Sequence, residues 1–84
     1  MSRIAIIDMG TNTFHLLIAE VDSQGYRMIY RDHEPVKIGL AGINEGLITD
    51  GGCRRAMAAM TRFRKTIDEY KATHVFAFGT SALR

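Results

Sequence analysis

The sequence contains few of the features that mark disulfide-linked, secreted or membrane-embedded chains. Only one cysteine, Cys53, occurs in 84 residues, which excludes a disulfide within the chain and is typical of a reducing compartment. No stretch near the start has the pattern of a signal peptide, and the longest nearly apolar run, residues 14–21, is far too short to cross a bilayer. These absences favour a cytoplasmic location and predict no membrane partner.

The net charge is also small, at +2. Most of the basic residues lie between Arg54 and Lys71, where helical spacing spreads them over a solvated face, and no aromatic side chain falls on that basic face. Proteins that bind nucleic acid usually combine a basic surface with aromatic side chains on which bases stack. The sequence therefore predicts no nucleic-acid partner.

The length limits the hydrophobic core. The composition, with 46% hydrophobic residues, is that of a globular chain, but a chain of 84 residues buries only about 60–65% of its unfolded surface. One domain at most is expected. The closing segment HVFAFGTSALR, residues 74–84, has the pattern of a buried strand that runs into the first turn of a helix. We therefore expect the sequence to be the first part of a larger domain.

Short apolar runs predict three strands in the first half of the chain. Residues 3–8 and 13–21 are apolar without alternation, which is typical of strands covered on both faces. Residues 26–31 alternate, which favours a more exposed strand that continues through 36–38 after an interruption at Pro35. The turns between the runs are short, and Gly25 supplies the positive φ that a hairpin turn often needs. These features predict an antiparallel meander.

A helix is predicted over residues 50–70, with Thr49 as its N-cap after a glycine-rich loop. Residues spaced by three and four form one apolar stripe along it: Cys53, Ala56, Met57, Met60, Phe63, Ile67 and Tyr70. A buried strand follows at 75–78. The helix then acts as a crossover, so the fourth strand is expected to pair parallel with the first. The predicted fold class is α/β, in the order β-β-β-α-β.

The segment DMGTNT, residues 8–13, joins the first two strands. Asp8 closes the first strand, and Gly10 permits a sharp turn and a close approach to a ligand. Thr11, Asn12 and Thr13 add hydroxyl and amide donors, so the loop has the chemistry to hold phosphate oxygens beside a magnesium ion bound through Asp8. The alternative is an ordinary hairpin turn in which the polar side chains cap their own backbone. Taken alone, the loop favours that alternative.

A second candidate follows the fourth strand. Ser81 lies at the predicted start of a helix, where backbone N–H groups attract anions, and Arg84 lies one turn later. The alternative is an ordinary N-cap with a surface arginine. If the first and fourth strands are parallel neighbours, however, residues 8–13 and 79–84 lie at the same edge of the sheet, where ligands of open α/β sheets bind. This juxtaposition favours a site for phosphate and metal.

The remaining candidates give weaker evidence of a functional site. His15 is either a core histidine or a residue of the pocket. Residues 32–34, DHE, have the types that bind metals, but the strand break expected at Pro35 favours a solvated loop. Cys53 belongs to the apolar stripe and has no activating base nearby.

Three segments together resemble the exopolyphosphatase/guanosine pentaphosphate phosphatase family, a branch of the superfamily of actin, sugar kinases and heat-shock chaperones. IDMGTNTFHLLIAEV resembles the first phosphate motif of that family, and VFAFGTSALR resembles its second. VKIGLAGINEGLITDGGCRRAMAAMTRF is similar to its glycine-rich segment and first helix. The resemblance covers essentially the whole chain.

The resemblance implies a ribonuclease H-like, actin-like fold and magnesium-dependent removal of terminal phosphate from polyphosphate or guanosine pentaphosphate. It implies that Asp8 serves the metal, and that phosphate is contacted by Gly10, Thr11, Asn12, Thr13, Ser81 and Arg84. It also implies a homodimer for the full-length protein. His15 departs from the pattern, since many members carry arginine there.

The general base of the family is a glutamate in a later segment, which these residues do not contain. We therefore expect this chain to be inactive alone. Two alternatives stand beside the hydrolase: a module that binds phosphate or nucleotide without hydrolysis, and a structural fragment that self-associates through its strand edge and uncovered face.

Overall fold

The computed structural model describes residues 1–37 and 50–79. These comprise β1 (Ser2–Met9), β2 (Thr13–Asp22), β3 (Gly25–Pro35), α1 (Asp50–Tyr70) and β4 (His74–Gly79). The order β-β-β-α-β is the predicted one. The predictions for Thr49, the glycine-rich loop, Ser81 and Arg84 fall outside the described residues.

The strands form one sheet in the order β3-β2-β1-β4. β1 pairs antiparallel with β2, and β2 with β3, so the first three strands are a meander. β4 pairs parallel with β1, with Ile4 opposite His74 and Met9 opposite Gly79. The predicted α/β class and the parallel fourth strand are therefore confirmed, and this is the half-domain topology that the resemblance implies.

The third strand differs from its prediction. β3 runs to Pro35, which lies opposite Thr13, so residues 32–34 are part of a strand and not a loop. The edge position of β3 explains the error, because a proline at the end of an edge strand removes no hydrogen bond from the sheet interior. The strand ends at Pro35, so its predicted continuation through 36–38 is wrong at residues 36–37, and residue 38 lies outside the described residues. Asp32 and Glu34 also have a partner that the sequence did not indicate, since Arg62 of α1 forms ion pairs with both carboxylates.

Helix α1 packs on one side of the sheet and forms the core with it. The buried residues are Ala5, Ile7, Phe14, Leu16, Ile18, Val36, Ala59, Phe63 and Ile67. The opposite side of the sheet, which we call the open face, carries the alternate residues of β1 and β2, namely Ile4, Ile6, Asp8, His15 and Leu17. No described element covers the open face, so the prediction that β1 and β2 are covered on both faces is wrong for the described residues.

The fourth strand was expected to be buried, and the structure contradicts this. All six residues of β4 are exposed, with Val75 at 50%, Phe76 at 55% and Phe78 at 54%. β4 is an edge strand, and α1 lies over β2 rather than over β4. The apolar composition of β4 is that of a buried strand, but composition does not indicate whether another element lies over a strand.

The prediction is also wrong for two residues of the apolar stripe on the helix. Met57 is 67% exposed and Cys53 is exposed, whereas Ala59 and Gly52 are buried. At about 100° per residue, Cys53 and Met57 lie about 80° and 120° away from the direction of Phe63, at the edge of the face that meets the sheet. No helix within the two described ranges has the length and hydropathy to cross a membrane.

At the end of the sheet farthest from residues 10–12, ion pairs link Glu20 of β2 to β1 and β3. Its carboxylate accepts hydrogen bonds from Arg27, at 2.7 Å, and from Arg3, at 3.2 Å, and Arg3 also donates to the Tyr70 carbonyl at the end of α1. The hydrogen bond from Arg27, with a further one from Arg3, lowers the pKa of Glu20.

This lowered pKa predicts a pH-dependent contribution to stability. The contribution is present above the pKa of an unfolded glutamate, about 4.3, and is lost as the pH falls through the lower pKa of the folded state. We expect Glu20→Gln to reduce the melting temperature at pH 7 and to have little effect at pH 2. Thermal unfolding followed by circular dichroism at both pH values measures this. A difference between variant and wild type that does not shrink at low pH would contradict the assignment.

Candidate functional site

The candidate site begins at the loop of Gly10, Thr11 and Asn12 between β1 and β2. The loop is closed by its main chain, because the Gly10 N–H donates to the Thr13 carbonyl at 3.0 Å. Thr11 and Thr13 are half-buried and Asn12 is exposed. Within residues 1–37 and 50–79, the side chains of Thr11, Asn12 and Thr13 make no hydrogen bond. The side-chain caps of the ordinary-turn alternative are therefore not seen there, and the hydroxyl and amide groups can meet a ligand.

The loop is fixed by residues that the sequence did not indicate. The Asn12 carbonyl accepts hydrogen bonds from the N–H groups of Val36, at 2.8 Å, and Lys37, at 3.1 Å. Arg55 of α1 donates from Nε to the Val36 carbonyl at 2.6 Å and from Nη2 to the Lys37 carbonyl at 3.2 Å. The hairpin loop is thus connected through residues 36–37 to the first turns of α1.

The end of β4 lies beside this loop. Phe78 is opposite Asp8, and Gly79 is opposite Met9. The predicted juxtaposition of the carboxyl ends of the first and fourth strands is therefore confirmed. Ser81 and Arg84, which continue from this end of β4, lie outside the described residues.

Asp8 lies in a row of side chains across the open face. The register places His33, His15, Asp8 and Phe78 side by side on four neighbouring strands. These residues line a recess of about 550 Å³, in which the rings of His15 and His33 have centroids 6.2 Å apart. His15 is exposed, so of the two alternatives for this residue the structure favours a place in the pocket.

Asp32, which lines the same recess, is ion-paired with Arg62, so among the described residues of the recess the carboxylate without an ion pair is that of Asp8. Asp8 is half-buried and makes no hydrogen bond or ion pair with the part of the chain described here. Residues 1–37 and 50–79 contain no group of three or more acidic, histidine or cysteine side chains arranged to hold a metal. Magnesium usually takes one or two carboxylates and completes its shell with water and substrate phosphates. A single carboxylate beside a loop of phosphate donors fits that pattern.

A methyl group at Gly10 is expected to disturb the tight turn between β1 and β2. A Cβ there would lie 3.0 Å from the Thr13 carbonyl oxygen, closer than ordinary van der Waals contact, so the loop backbone must give by a few tenths of an ångström. We expect Gly10→Ala to cost about 1–3 kcal/mol of unfolding free energy, the usual range for a forced steric contact. We also expect it to shift the amide signals of Asn12 and Val36 in a ¹⁵N NMR spectrum.

The matched control is Gly25→Ala in the β2–β3 turn. Gly25 has a φ of 140°, which disfavours alanine, but a Cβ there meets nothing within 4 Å. That variant is expected to lose stability while the Asn12 and Val36 signals stay in place. An unchanged loop spectrum in Gly10→Ala would contradict the described turn.

Comparisons with known proteins place the chain in a family. The Ppx/GppA phosphatase family profile matches residues 17–84. A bifunctional 3-dehydroquinate synthase/phosphatase of Fusobacterium nucleatum is 34% identical over 95% of this chain and 13% of its own length. Exopolyphosphatase 1 of Mycobacterium tuberculosis is 26% identical over 98% of this chain and 24% of its own length.

Solved structures give the same result. An exopolyphosphatase from Cytophaga hutchinsonii superposes with a TM-score of 0.91 at 42% identity, over 96% of this chain and 26% of that one. A Ppx/GppA family member from Aquifex aeolicus superposes with a TM-score of 0.90 at 25% identity. The chain spans about an eighth to a quarter of the length of these relatives. From the family profile and the similarity of sequence and structure, the chain belongs to the Ppx/GppA phosphatase family.

Proposed function

We propose that this chain forms the phosphate- and metal-binding part of a phosphoanhydride hydrolase that releases terminal phosphate from inorganic polyphosphate. One observation carries the proposal: in a chain of a phosphatase family, the Gly10–Asn12 loop presents donors without partners among the described residues, next to Asp8 and the end of β4. Relatives from Mycobacterium tuberculosis and Cytophaga hutchinsonii carry the name exopolyphosphatase, which supports polyphosphate as the substrate class.

In this proposal the loop orients the terminal phosphate. The hydroxyl groups of Thr11 and Thr13 and the Asn12 amide donate to phosphate oxygens, and Asp8 holds magnesium on the side of the open face. A magnesium ion held by Asp8 would supply positive charge against the phosphate oxygens, where negative charge develops during P–O cleavage. Ser81 and Arg84 are proposed to contact the same phosphates from the segment after β4.

The proposal assigns only part of the catalytic machinery to these residues. Attack by water needs a positioned base, and Asp8 is assigned to the metal. The family resemblance implies a base in a later segment, and we propose that it is supplied from there. We therefore propose that the 84-residue chain binds phosphate but does not hydrolyse it, and that catalysis requires the remaining three-quarters of a protein as long as its relatives. The homodimer of such a full-length protein stays a prediction.

A segment exchange tests the function. The matching quarter of the Cytophaga hutchinsonii exopolyphosphatase is replaced by this chain, and phosphate release from polyphosphate and from guanosine pentaphosphate is measured. We expect the chimera to hydrolyse polyphosphate and the isolated 84-residue chain to show no activity. Circular dichroism and thermal unfolding establish that the chimera is folded. A folded chimera that binds polyphosphate without releasing phosphate would favour the binding-module alternative.

A further inference from the structure

We propose that Lys37 is a phosphate-binding residue of this site and that Arg55 is the positioning residue that holds it beside the Gly10–Asn12 loop. This inference rests on the proposed function and assigns two residues to the same site. A site for polyphosphate needs positive charge. Polyphosphate carries a negative charge on every phosphate, whereas residues 9–13 supply only neutral donors and residue 8 is itself acidic.

Lys37 meets the charge requirement by its position. Its N–H lies 3.1 Å from the Asn12 carbonyl, so its backbone is one hydrogen bond from the centre of the loop. The side chain is exposed, and an ammonium group on a flexible four-carbon stem reaches about 6 Å from its Cα. Lys37 is also placed by contacts on both of its peptide groups, since its N–H donates to Asn12 and its carbonyl accepts from Arg55.

The backbone of Lys37 is held in an unusual conformation. Its φ is 52°, in the left-handed region that residues other than glycine rarely adopt. Such a residue keeps this conformation only where its surroundings fix it, and these sites often serve function. Here the N–H is fixed by Asn12 and the carbonyl by Arg55 Nη2.

Arg55 provides the link to the rigid part of the fold. Its planar guanidinium group donates to two successive carbonyls, those of Val36 and Lys37. Val36 is fully buried in the core, so residues 36–37 are anchored by packing as well as by hydrogen bonds. Since Arg55 already donates to the backbone, its role is to hold Lys37 and Asn12 in register rather than to contact the ligand.

Isothermal titration calorimetry of the 84-residue chain with tripolyphosphate and magnesium tests the assignment. We expect Lys37→Met to weaken binding about tenfold, the effect of losing one hydrogen bond between charged groups, and Lys37→Arg to retain most of the affinity. The matched control is Lys71→Met. Lys71 is also exposed, with a φ of 58°, but it follows α1 next to Thr73, whose N–H binds the Arg3 carbonyl at the opposite end of β1. Its loss is expected to change affinity less than twofold.

A second readout separates the positioning role of Arg55 from a loss of folding. We expect Arg55→Met to weaken tripolyphosphate binding and to shift the amide signals of Asn12, Val36 and Lys37 in the ligand-free chain, with the rest of the spectrum retained. Lys37→Met should leave those signals nearly unchanged.

Three outcomes would overturn parts of this inference. Equal affinity of Lys37→Met and wild type would remove Lys37 from the site while leaving the proposed function intact. An unshifted loop spectrum in Arg55→Met would remove the positioning role. No binding of tripolyphosphate by the wild-type chain would overturn both this inference and the phosphate site itself.

Discussion

Replacing Phe63 by alanine is expected to remove most of the stability of this chain. Phe63 is the largest fully buried side chain, with 0% exposure, and it lies at the centre of the contact between α1 and the sheet. Phenylalanine to alanine changes in a core cost about 3–5 kcal/mol. A chain of 84 residues has about 4–13 kcal/mol of unfolding free energy in total, so this loss is a large part of it.

Met57→Ala is the matched control, because Met57 lies on the same helix and is also a large apolar residue. It is 67% exposed, so we expect its replacement to change the unfolding free energy by less than about 0.5 kcal/mol. Urea denaturation followed by circular dichroism measures both variants. Similar losses for the two would mean that α1 does not pack on the sheet as described.

The second large effect is expected at Asp8. In the chimera with the Cytophaga hutchinsonii exopolyphosphatase, Asp8→Asn should lower kcat/KM for polyphosphate about 10²–10³-fold. Asparagine keeps the shape of the side chain but removes the negative charge that magnesium requires, and a bound metal contributes several kcal/mol to transition-state stabilisation. The magnesium concentration that gives half-maximal activity should rise in the same variant.

Asp68→Asn is the control for this charge change. Asp68 is exposed on α1, and its side chain makes no hydrogen bond or ion pair with the described residues, so its activity should match the unsubstituted chimera. Activity of Asp8→Asn within threefold of the unsubstituted chimera, with the same magnesium dependence, would remove Asp8 from the metal site.

The arrangement of the sheet was accessible from the sequence because it follows from local patterns. The apolar runs, the short turns and one amphipathic helix predict a meander and a crossover, and these place the ends of β1 and β4 side by side. That juxtaposition and the residue types at positions 8–13 indicate a phosphate site without any information on side-chain packing.

The parts that were missed depend on contacts between residues distant in sequence. The link from Arg55 to Asn12 spans residues 12, 36–37 and 55, and no local pattern distinguishes Arg55 from the solvated arginines around it. The same holds for Arg62, whose ion pairs with Asp32 and Glu34 connect the last residues of β3 to α1. Sequence periodicity also does not reveal whether another element covers a strand, because an apolar strand has the same pattern in both cases. The exposure of the open face and of β4 among the described residues was therefore not predictable.

The most direct test of the phosphate site is a ¹⁵N NMR titration of the 84-residue chain with tripolyphosphate in the presence of magnesium. We predict that the largest amide shifts occur at residues 10–13, with smaller ones at residues 36–37 and 79, and that residues 22–25 at the opposite end of the sheet do not respond. Shifts concentrated along the basic face of α1 between Arg54 and Lys71, or no localised shifts at all, would contradict a phosphate site at the Gly10–Asn12 loop.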